Sequence, residues 1–420
     1  MRALIISQGS RGDIQPFVAL ADALRSAGHE VLLIIPETFS QLAASYNVAH
    51  ATIFDVTKEI LTDKSAGKAI SAGNNGVANL FRQGFLHRKY MPRALEDMAS
   101  IKLEKPDVLL HNHTIPGNEI ADLFSIPHIP VAVTPILIPT STFPSPWFPL
   151  PCPSFLNRAS YMASGPTLRY YIGNTSKWRT EILGLPKRRG HRDFMRNRDG
   201  SRAPVLQPVS RHLLPQDTAY PSWAHTTGFW NAPHIGEWKP GDELLQFVDS
   251  EEPPVYIGFG SLNVVTDIRR RRAEVCEEAA RLAGVRAVIY TNLDYSERKL
   301  SDDQIFHLDR DVQFDWLFPR VSAIVHHGGC GTVGASLMSG KPQVICPAYF
   351  EQHLNGQLLH DRDVAPLPLP SRKMTPRRLA DAIRQATDDR SKARSAEELA
   401  RKVSTEDGLG AAVRLLESIV

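Results

Sequence analysis

Cysteine is scarce in this chain. There are four in 420 residues, Cys152, Cys276, Cys330 and Cys346, and no two stand at a spacing typical of a metal site or a disulfide framework. That excludes a disulfide-stapled secreted scaffold and a structural zinc site, and it predicts a reducing compartment. No run approaches the ~18 apolar residues of a membrane span. The opening residues enter an apolar run directly, without the charged, apolar and small-residue zones of a signal peptide, so the expected location is cytoplasmic, with peripheral contact to a membrane surface left open. An excess of one charge is lacking as well. The formal net charge is +3, and the dense basic runs Lys187–Arg189 and Arg269–Arg272 have no interleaved aromatics. No nucleic-acid partner is expected from such scattered charge.

What is present is an ordinary globular composition, 42% apolar and 22% charged, over a length that suits two domains. Arg2 to Ser7 is a short apolar run, followed by the polar turn Gln8-Gly9-Ser10-Arg11-Gly12-Asp13. Pro16 then opens a segment with Phe17, Leu20, Ala21 and Leu24 on one helical face, which Gly28 ends. Val31 to Ile35 is a second buried strand, and strand–helix–strand with short connections implies a parallel sheet. Val108–His111 and Ile129–Val133 continue the pattern, with a helix between them. From Pro139 to Pro153 prolines alternate with Phe143, Trp147 and Phe148, forming a stiff loop that either packs on the surface or walls a binding site. The pattern restarts near Pro254. Strands are expected at Val255–Phe259, Ala287–Thr291, Ala323–Val325 and Gln343–Cys346, with amphipathic helices after Thr375. Two doubly wound arrays bind ligands at strand carboxyl ends, which places the site in a cleft between domains.

The strongest local signal is His326-His327-Gly328-Gly329-Cys330-Gly331-Thr332. Glycines let the backbone approach a ligand, and a helix opening near Gly331 offers free N–H groups and a positive dipole end. With the Thr332 hydroxyl and a ring nitrogen of His327, the loop suits a diphosphate. It lacks the lysine and spacing of a Walker A loop. The first turn carries Gly9 and Gly12, but Ile14 stands where a dinucleotide fingerprint has its third glycine, which disfavours NAD even with Glu37 after the second strand. Asp13 either caps its helix or serves as a general base. Glu351-Gln352 can be an exposed pair or a binder of sugar hydroxyls. His111-Asn112-His113 favours cleft lining or capping over metal, because neighbours on a strand point to opposite faces and no third ligand has metal spacing.

These residues resemble a known family. Gly9-Ser10-Arg11-Gly12-Asp13-Ile14-Gln15-Pro16-Phe17 is similar to the N-terminal signature of the sterol 3-beta-glucosyltransferases and the related antibiotic glycosyltransferases. So is Asp315-Trp316-Leu317-Phe318-Pro319 running on to the His-His-Gly-Gly segment. Gly228-Phe229-Trp230, Pro253 to Ser261, Leu183-Gly184-Leu185-Pro186 and Pro139 to Pro144 resemble the same group.

The resemblance implies an α/β protein of the GT-B fold, two facing Rossmann-like doubly wound domains with an interdomain cleft. Residues 1–230 would bind the acceptor, 231–240 link, and 241–400 bind the nucleotide sugar, with the helix in 401–420 packing back on the N-terminal domain. It implies an inverting, metal-independent transfer of a hexose, glucose from UDP-glucose, to a lipophilic hydroxyl on a sterol, phenolic, polyketide or lipid. The nucleotide sugar is a co-substrate, and no cofactor is implied. Asp13 would be the base. His327, Gly329, Cys330, Gly331, Thr332, Ser261 and Ser10 would hold the diphosphate, Glu351 and Gln352 the sugar, and Val312 the nucleobase. His111, Asn112, Phe143, Trp147 and Phe148 would line the acceptor site.

Several departures bear on the donor. Glu351 is one methylene longer than the usual Asp, and Cys330 replaces a small residue. Ala335 stands where many plant relatives carry a ribose-binding Glu, and Thr291-Asn292-Leu293 lacks the Gly-Trp-Gly run, leaving UDP and dTDP open. Rival readings are a nucleotide-sugar epimerase or hydrolase on the same fold, and a non-catalytic nucleotide-sugar-binding partner.

Overall fold

The computed structural model of the chain describes residues 1–63, 77–148, 152–173, 175–188, 193–231, 238–250, 252–260, 266–290 and 302–420, without the side chains of 77–80 and 266–268. Contacts divide it into two units, one of Met1–Ala66, Gly76–Ile235 and Glu406–Val420, the other containing Gly236–Thr405.

The first unit holds β1 (Arg2–Ile6), β2 (Glu30–Pro36), β3 (His50–Ile53), β4 (Val108–Asn112), β5 (His128–Val131), β6 (Val205–Gln207) and β7 (Ala224–Thr226). They form one parallel sheet in the order β3-β2-β1-β4-β5-β6-β7. Ala3 to Ile6 are buried throughout, as a central strand covered on both faces requires. The order reverses between β1 and β4, and in open parallel sheets the crevice beyond such a reversal is where ligands bind. The main helices here are α1 (Arg11–Ser26), α2 (Val77–Ser100), α3 (Gly117–Phe124) and α4 (Ser164–Ile172).

Helix α1 begins earlier than the sequence pattern suggests. Pro16 is its sixth residue rather than its opening one. The Ser10 and Asp13 pair sets the N-terminus at Arg11, and a proline so close to the start forfeits a single ladder bond, to Gly12. Ala27 caps the far end and Gly28 leaves the helix at φ +86°.

The second unit is a parallel sheet of β8 (Val255–Gly258), β9 (Ala287–Tyr290), β10 (Ile305–His307), β11 (Ala323–His326) and β12 (Gln343–Ile345), in the order β10-β9-β8-β11-β12. Alternation splits its side chains between two cores. Val255, Ile257, Ala323 and Val325 face α5 (Thr266–Ala283) and α8 (Pro376–Thr387), whereas Tyr256, Val288 and Ile324 face Leu317 and Phe318. The remaining long helices are α6 (Cys330–Ser339), α7 (Phe350–Asp361), α9 (Arg390–Val403) and α10 (Gly408–Ile419). Helix α10 belongs to the first unit and packs on α1. The short strands β3, β6, β7 and β10 escaped the sequence reading.

Candidate functional site

In the second unit the order reverses between β8 and β11, so Phe259-Gly260 and His327 to Thr332 leave the sheet side by side. His326 is the last residue of β11 and fully buried. Its Nδ1 accepts the Gly328 N–H at 3.1 Å, so its Nε2 carries the proton and donates to Gln343 Oε1 at 2.9 Å. Burial lowers its pKa to about 4 and keeps it neutral. His326 is therefore the brace of the turn rather than a ligand group.

His327 points the other way. Its ring lies 3.1 Å from where a Cβ on Gly260 would stand, and a Cβ on Gly329 would overlap its Nε2. Burial, helped by the charge of Arg272 and by His326, lowers its pKa to about 3. Its Nδ1 is buried without a hydrogen-bond partner among the described residues. A neutral imidazole can exchange one hydrogen bond with a phosphate but brings no positive charge.

The positive potential lies beside it, at the start of α6. Gly329 is the N-cap, extended at ψ 144°, with no side chain to satisfy the first turn. Val333 makes the first helical bond, to the Gly329 carbonyl at 2.9 Å, so the N–H groups of Cys330, Gly331 and Thr332 precede the ladder. The loop is fastened from behind by Asn355 on α7, which is buried and whose Nδ2 donates to the Gly328 carbonyl at 2.9 Å. Asn355 was missed in the sequence, although a polar residue three positions beyond Gln352 on the inner face of an apolar helix is a readable sign.

Glu351 and Gln352 open α7 but point differently. Glu351 is half-buried. Gln352 is buried, and its Oε1 accepts from the N–H groups of Ala348 at 2.9 Å and Tyr349 at 3.2 Å. The side-chain carbonyl of Gln352, expected at the sugar, closes the turn into its own helix. Val312 is half-buried against the Leu317–Phe318 cluster. Nearby, Trp316 lies 5.4 Å from the Trp238 ring, with the Arg320 guanidinium over its face. Ser261 and Thr291–Leu293 lie outside the described residues, as does most of the expected linker.

In the first unit, the loop after β1 delivers Asp13 as the third residue of α1. Its Oδ2 accepts from the Ser10 N–H at 2.8 Å and the Ser10 hydroxyl at 2.9 Å. Burial raises the Asp13 pKa, while the two Ser10 bonds oppose the rise. Gly9, at φ +138°, is required there, since a Cβ would overlap the Asp13 carboxylate. The Ser10 hydroxyl, expected at the diphosphate, is here engaged with Asp13. A serine has one hydroxyl proton, and this one goes to Asp13.

His111 and Asn112 do not line an open surface either. Both are 1% exposed. The His111 ring packs on Gly117 of α3 and pairs with His128 at 3.1 Å. Asn112 Oδ1 accepts from Thr114 N at 3.0 Å and Thr114 Oγ1 at 2.9 Å. At the end of a buried parallel strand, one neighbour goes under a helix and the other caps the turn. The next residue, His113, reaches the Pro-rich loop, with its ring 6.0 Å from that of Trp147. Trp147 also stacks on Tyr171 of α4 at 6.3 Å, nearly parallel. Trp147 and Phe148 are half-buried, whereas Phe143 is buried inside the loop. Among the described residues no group of three His, Cys, Asp or Glu side chains gathers as metal ligands, and no helix is long and apolar enough to cross a membrane.

Comparison with known proteins follows the same division. Residues 3–100 match the glycosyltransferase family 28 N-terminal domain, and residues 301–409 match the C-terminal domain of the erythromycin biosynthesis protein CIII-like family. A sterol 3-beta-glucosyltransferase of Arabidopsis thaliana is 30% identical over 99% of this chain and 65% of its own length. One from Komagataella phaffii is 27% identical over 98% of this chain but 34% of its own. The chain thus spans about a third of the yeast relative's length and less than two thirds of the plant relative's. An O-mycaminosyltylonolide 6-deoxyallosyltransferase of Streptomyces fradiae is 29% identical over 99% of this chain and 97% of its own. Among solved structures, the glycosyltransferase VinC in complex with dTDP superposes with a TM-score of 0.67 at 18% identity, covering 100% of this chain and 99% of that one. The spinosyn rhamnosyltransferase SpnG complexed with spinosyn aglycone superposes with 0.62 at 20% identity, covering 99% and 100%. These likenesses identify the two parallel-sheet units as the GT-B fold.

Proposed function

We propose that this chain, which has the GT-B fold and is similar to the sterol 3-beta-glucosyltransferases and the antibiotic glycosyltransferases, carries out an inverting hexosyl transfer from a nucleotide diphosphate sugar to a lipophilic hydroxyl. The observation that carries this reading is the loop from His327 to Thr332. It is a glycine-capped helix start at the reversal point of a parallel sheet, with a neutral imidazole beside it. Such a site suits a diphosphate more than any other common ligand group.

The reaction is a single displacement. Asp13 takes the proton from the acceptor hydroxyl, that oxygen attacks the anomeric carbon from the face opposite the nucleotide, and the carbon–oxygen bond to the diphosphate breaks. The departing charge is met by the α6 N–H groups and by the Thr332 hydroxyl. Both Ser10 bonds go to Asp13 Oδ2, and in this reading Oδ1 is the oxygen that takes the acceptor's proton. The raised pKa strengthens Asp13 as a base relative to a free carboxylate. Helix dipole and amides supply the role a cation would have, so the transfer is proposed to need no metal and no cofactor. Glu351, Val312, Trp147 and Phe148 remain our candidates for sugar, nucleobase and acceptor contacts, in that order.

We take glucose and UDP as the donor's parts, and the SpnG and VinC ligands, an aglycone and dTDP, frame the alternatives. The test is a matrix of UDP- and dTDP-sugars against sterols, phenols and macrolide aglycones, run with and without EDTA and read by mass spectrometry. A glycoside of inverted anomeric configuration, formed in EDTA, supports the proposal. Hydrolysis or epimerisation of the sugar without transfer, binding without turnover, or strict dependence on added magnesium would each replace it.

A further inference from the structure

Helices α2 and α4 pack against one another in the first unit, fastened by Tyr170 Oη donating to the Phe81 carbonyl at 2.8 Å and by His87 meeting the Tyr171 carbonyl at 2.8 Å. The pair leaves large apolar side chains in solvent. Phe81 and Phe85, one turn apart on α2, are 55% and 63% exposed. Phe155 and Met162, in the short turns leading into α4, are 82% and 81% exposed, more than any other large apolar residue described. A protein with nothing to bind there would gain solubility by polar substitution at each.

Charge on the same two segments is one-sided. Between Phe81 and Leu95 there is no aspartate or glutamate, and none between Cys152 and Thr180. Arg82, Arg88, Arg93, Arg158, Arg169 and Lys177 are all exposed. Arg88 lies over the Tyr170 ring, 5.4 Å from its centroid, so its charge sits beside the apolar chains. The net charge of the whole chain is only +3, so this excess is balanced by acidic residues on other segments.

We propose that the exposed side of the α2–α4 pair docks on an anionic lipid bilayer, with Phe81, Phe85, Phe155 and Met162 entering the acyl boundary and the arginines meeting lipid phosphates. Aromatic and thioether chains rimmed by long basic ones are the pattern of interfacial insertion, in which the guanidinium heads stay at headgroup level. A protein partner would need a concentrated acidic face of its own to meet this one-sided charge, which an anionic bilayer presents by its composition. The surface is also continuous with the Pro-rich loop, since Tyr171 of α4 stacks on Trp147. Lipid docking there would bring a membrane-dissolved acceptor to the loop without passage through water. The docking itself is independent of the transfer reaction and of which acceptor is used.

Sedimentation of the purified chain with phosphatidylcholine vesicles, and with the same vesicles containing phosphatidylglycerol, tests this directly. Binding should be confined to the anionic vesicles and should weaken steeply as salt is raised. Two variant sets probe the two halves of the surface: Phe85→Ser with Phe155→Ser and Met162→Ser, and Arg88→Glu with Arg158→Glu and Arg169→Glu. Each should weaken vesicle binding by roughly tenfold or more, with an unchanged melting temperature and unchanged turnover of a water-soluble acceptor. Wild type that fails to sediment with anionic vesicles overturns the proposal, as do folded variants that bind as well as wild type. A third overturning result is light scattering in which wild type self-associates and the serine variant does not, because the patch would then be a protein interface. The wild-type vesicle comparison needs no variant, so a misfolded variant leaves the test intact.

Discussion

The carboxyl edges of the two sheets are built in contrasting ways. In the second unit the loop after β11 is assembled from consecutive residues. His326 braces, Gly328 turns, Gly329 caps, and α6 begins, with Asn355 as the distant fastening. In the first unit, one half of the edge is equally local, because Ser10 and Asp13 form a closed hydrogen-bonded pair against Gly9. The other half is not. His111 and Asn112, adjacent to the edge in sequence, turn inward, and the surface there is supplied by Trp147 and Tyr171 from segments far along the chain. A phosphate needs backbone amides, which a short glycine-rich stretch can present by itself. An apolar acceptor needs side-chain area, which only packing between distant segments can gather.

That contrast can be broken first at Asp13. Asp13→Asn keeps an oxygen to accept from Ser10, so the melting temperature should hold. It cannot take a proton, and turnover should fall by ~10²–10⁴ with calorimetric UDP affinity unchanged. Phenolic acceptors, partly ionised unaided, should lose less than aliphatic alcohols. An Asn variant that glycosylates an aliphatic alcohol at the wild-type rate would reduce Asp13 to a helix cap.

The two crowded glycines sharpen the comparison. Gly9→Ala pushes against the Asp13 carboxylate and Gly329→Ala against the His327 ring, each a clash of the kind that costs about 1–3 kcal/mol. The first should lower kcat with nucleotide affinity retained, and the second should weaken UDP binding by roughly tenfold or more. Steady-state kinetics beside calorimetry separates them. If both variants change the same parameter, the two edges do not divide the chemistry as drawn.

A smaller effect is expected at the fastening. Asn355→Ala frees the Gly328 carbonyl inside the second unit and should cost about 1–3 kcal/mol of stability, together with a several-fold loss in UDP affinity. Chemical denaturation and calorimetry on one preparation would check both. Stability loss without any change in UDP affinity would mean that the loop holds its shape unaided.

A last effect is spread over many residues, and the two units should share it. Burial holds His111, His113 and His128 in the first unit, and His307, His326 and His327 in the second, at pKa values of about 3 to 4. Unfolded, they titrate near 6.5, so below that pH the unfolded chain binds more protons than the folded one. Stability is therefore full above about pH 7.5 and declines as pH falls toward 4, by somewhat under about 1 kcal/mol per histidine already at pH 6. Denaturant midpoints measured from pH 7.5 down to 5 should fall continuously, and a flat profile would contradict the buried, neutral state of these rings.

Much of this was legible in the residues. The run Ala3–Ile6, the amphipathic face of α1, the strand–loop–helix at His326–Thr332 and the late helices all follow from period and punctuation. The short strands β6, β7 and β10, three residues each, carry no period to read. Pro16 misled because proline favours a first turn, yet the Ser10–Asp13 capping pair outweighed it. The capping role of Gln352 was not readable, because it depends on where the N–H groups of Ala348 and Tyr349 point.

By itself the sequence determined the two parallel βα arrays, the glycine-capped helix start after His327 and the place of Asp13. The helix start and Asp13 rest on interactions within about one helical turn, and the arrays are announced by apolar runs alternating with amphipathic segments, both of which adjacent residues specify. Only the tertiary structure decided that His111 and Asn112 are interior, that Asn355 ties the loop down, and that Trp147, Tyr171 and the α2–α4 pair share one surface. Those outcomes depend on which face of a strand or helix another element covers. Alternation along the chain names the two faces, and packing alone chooses between them.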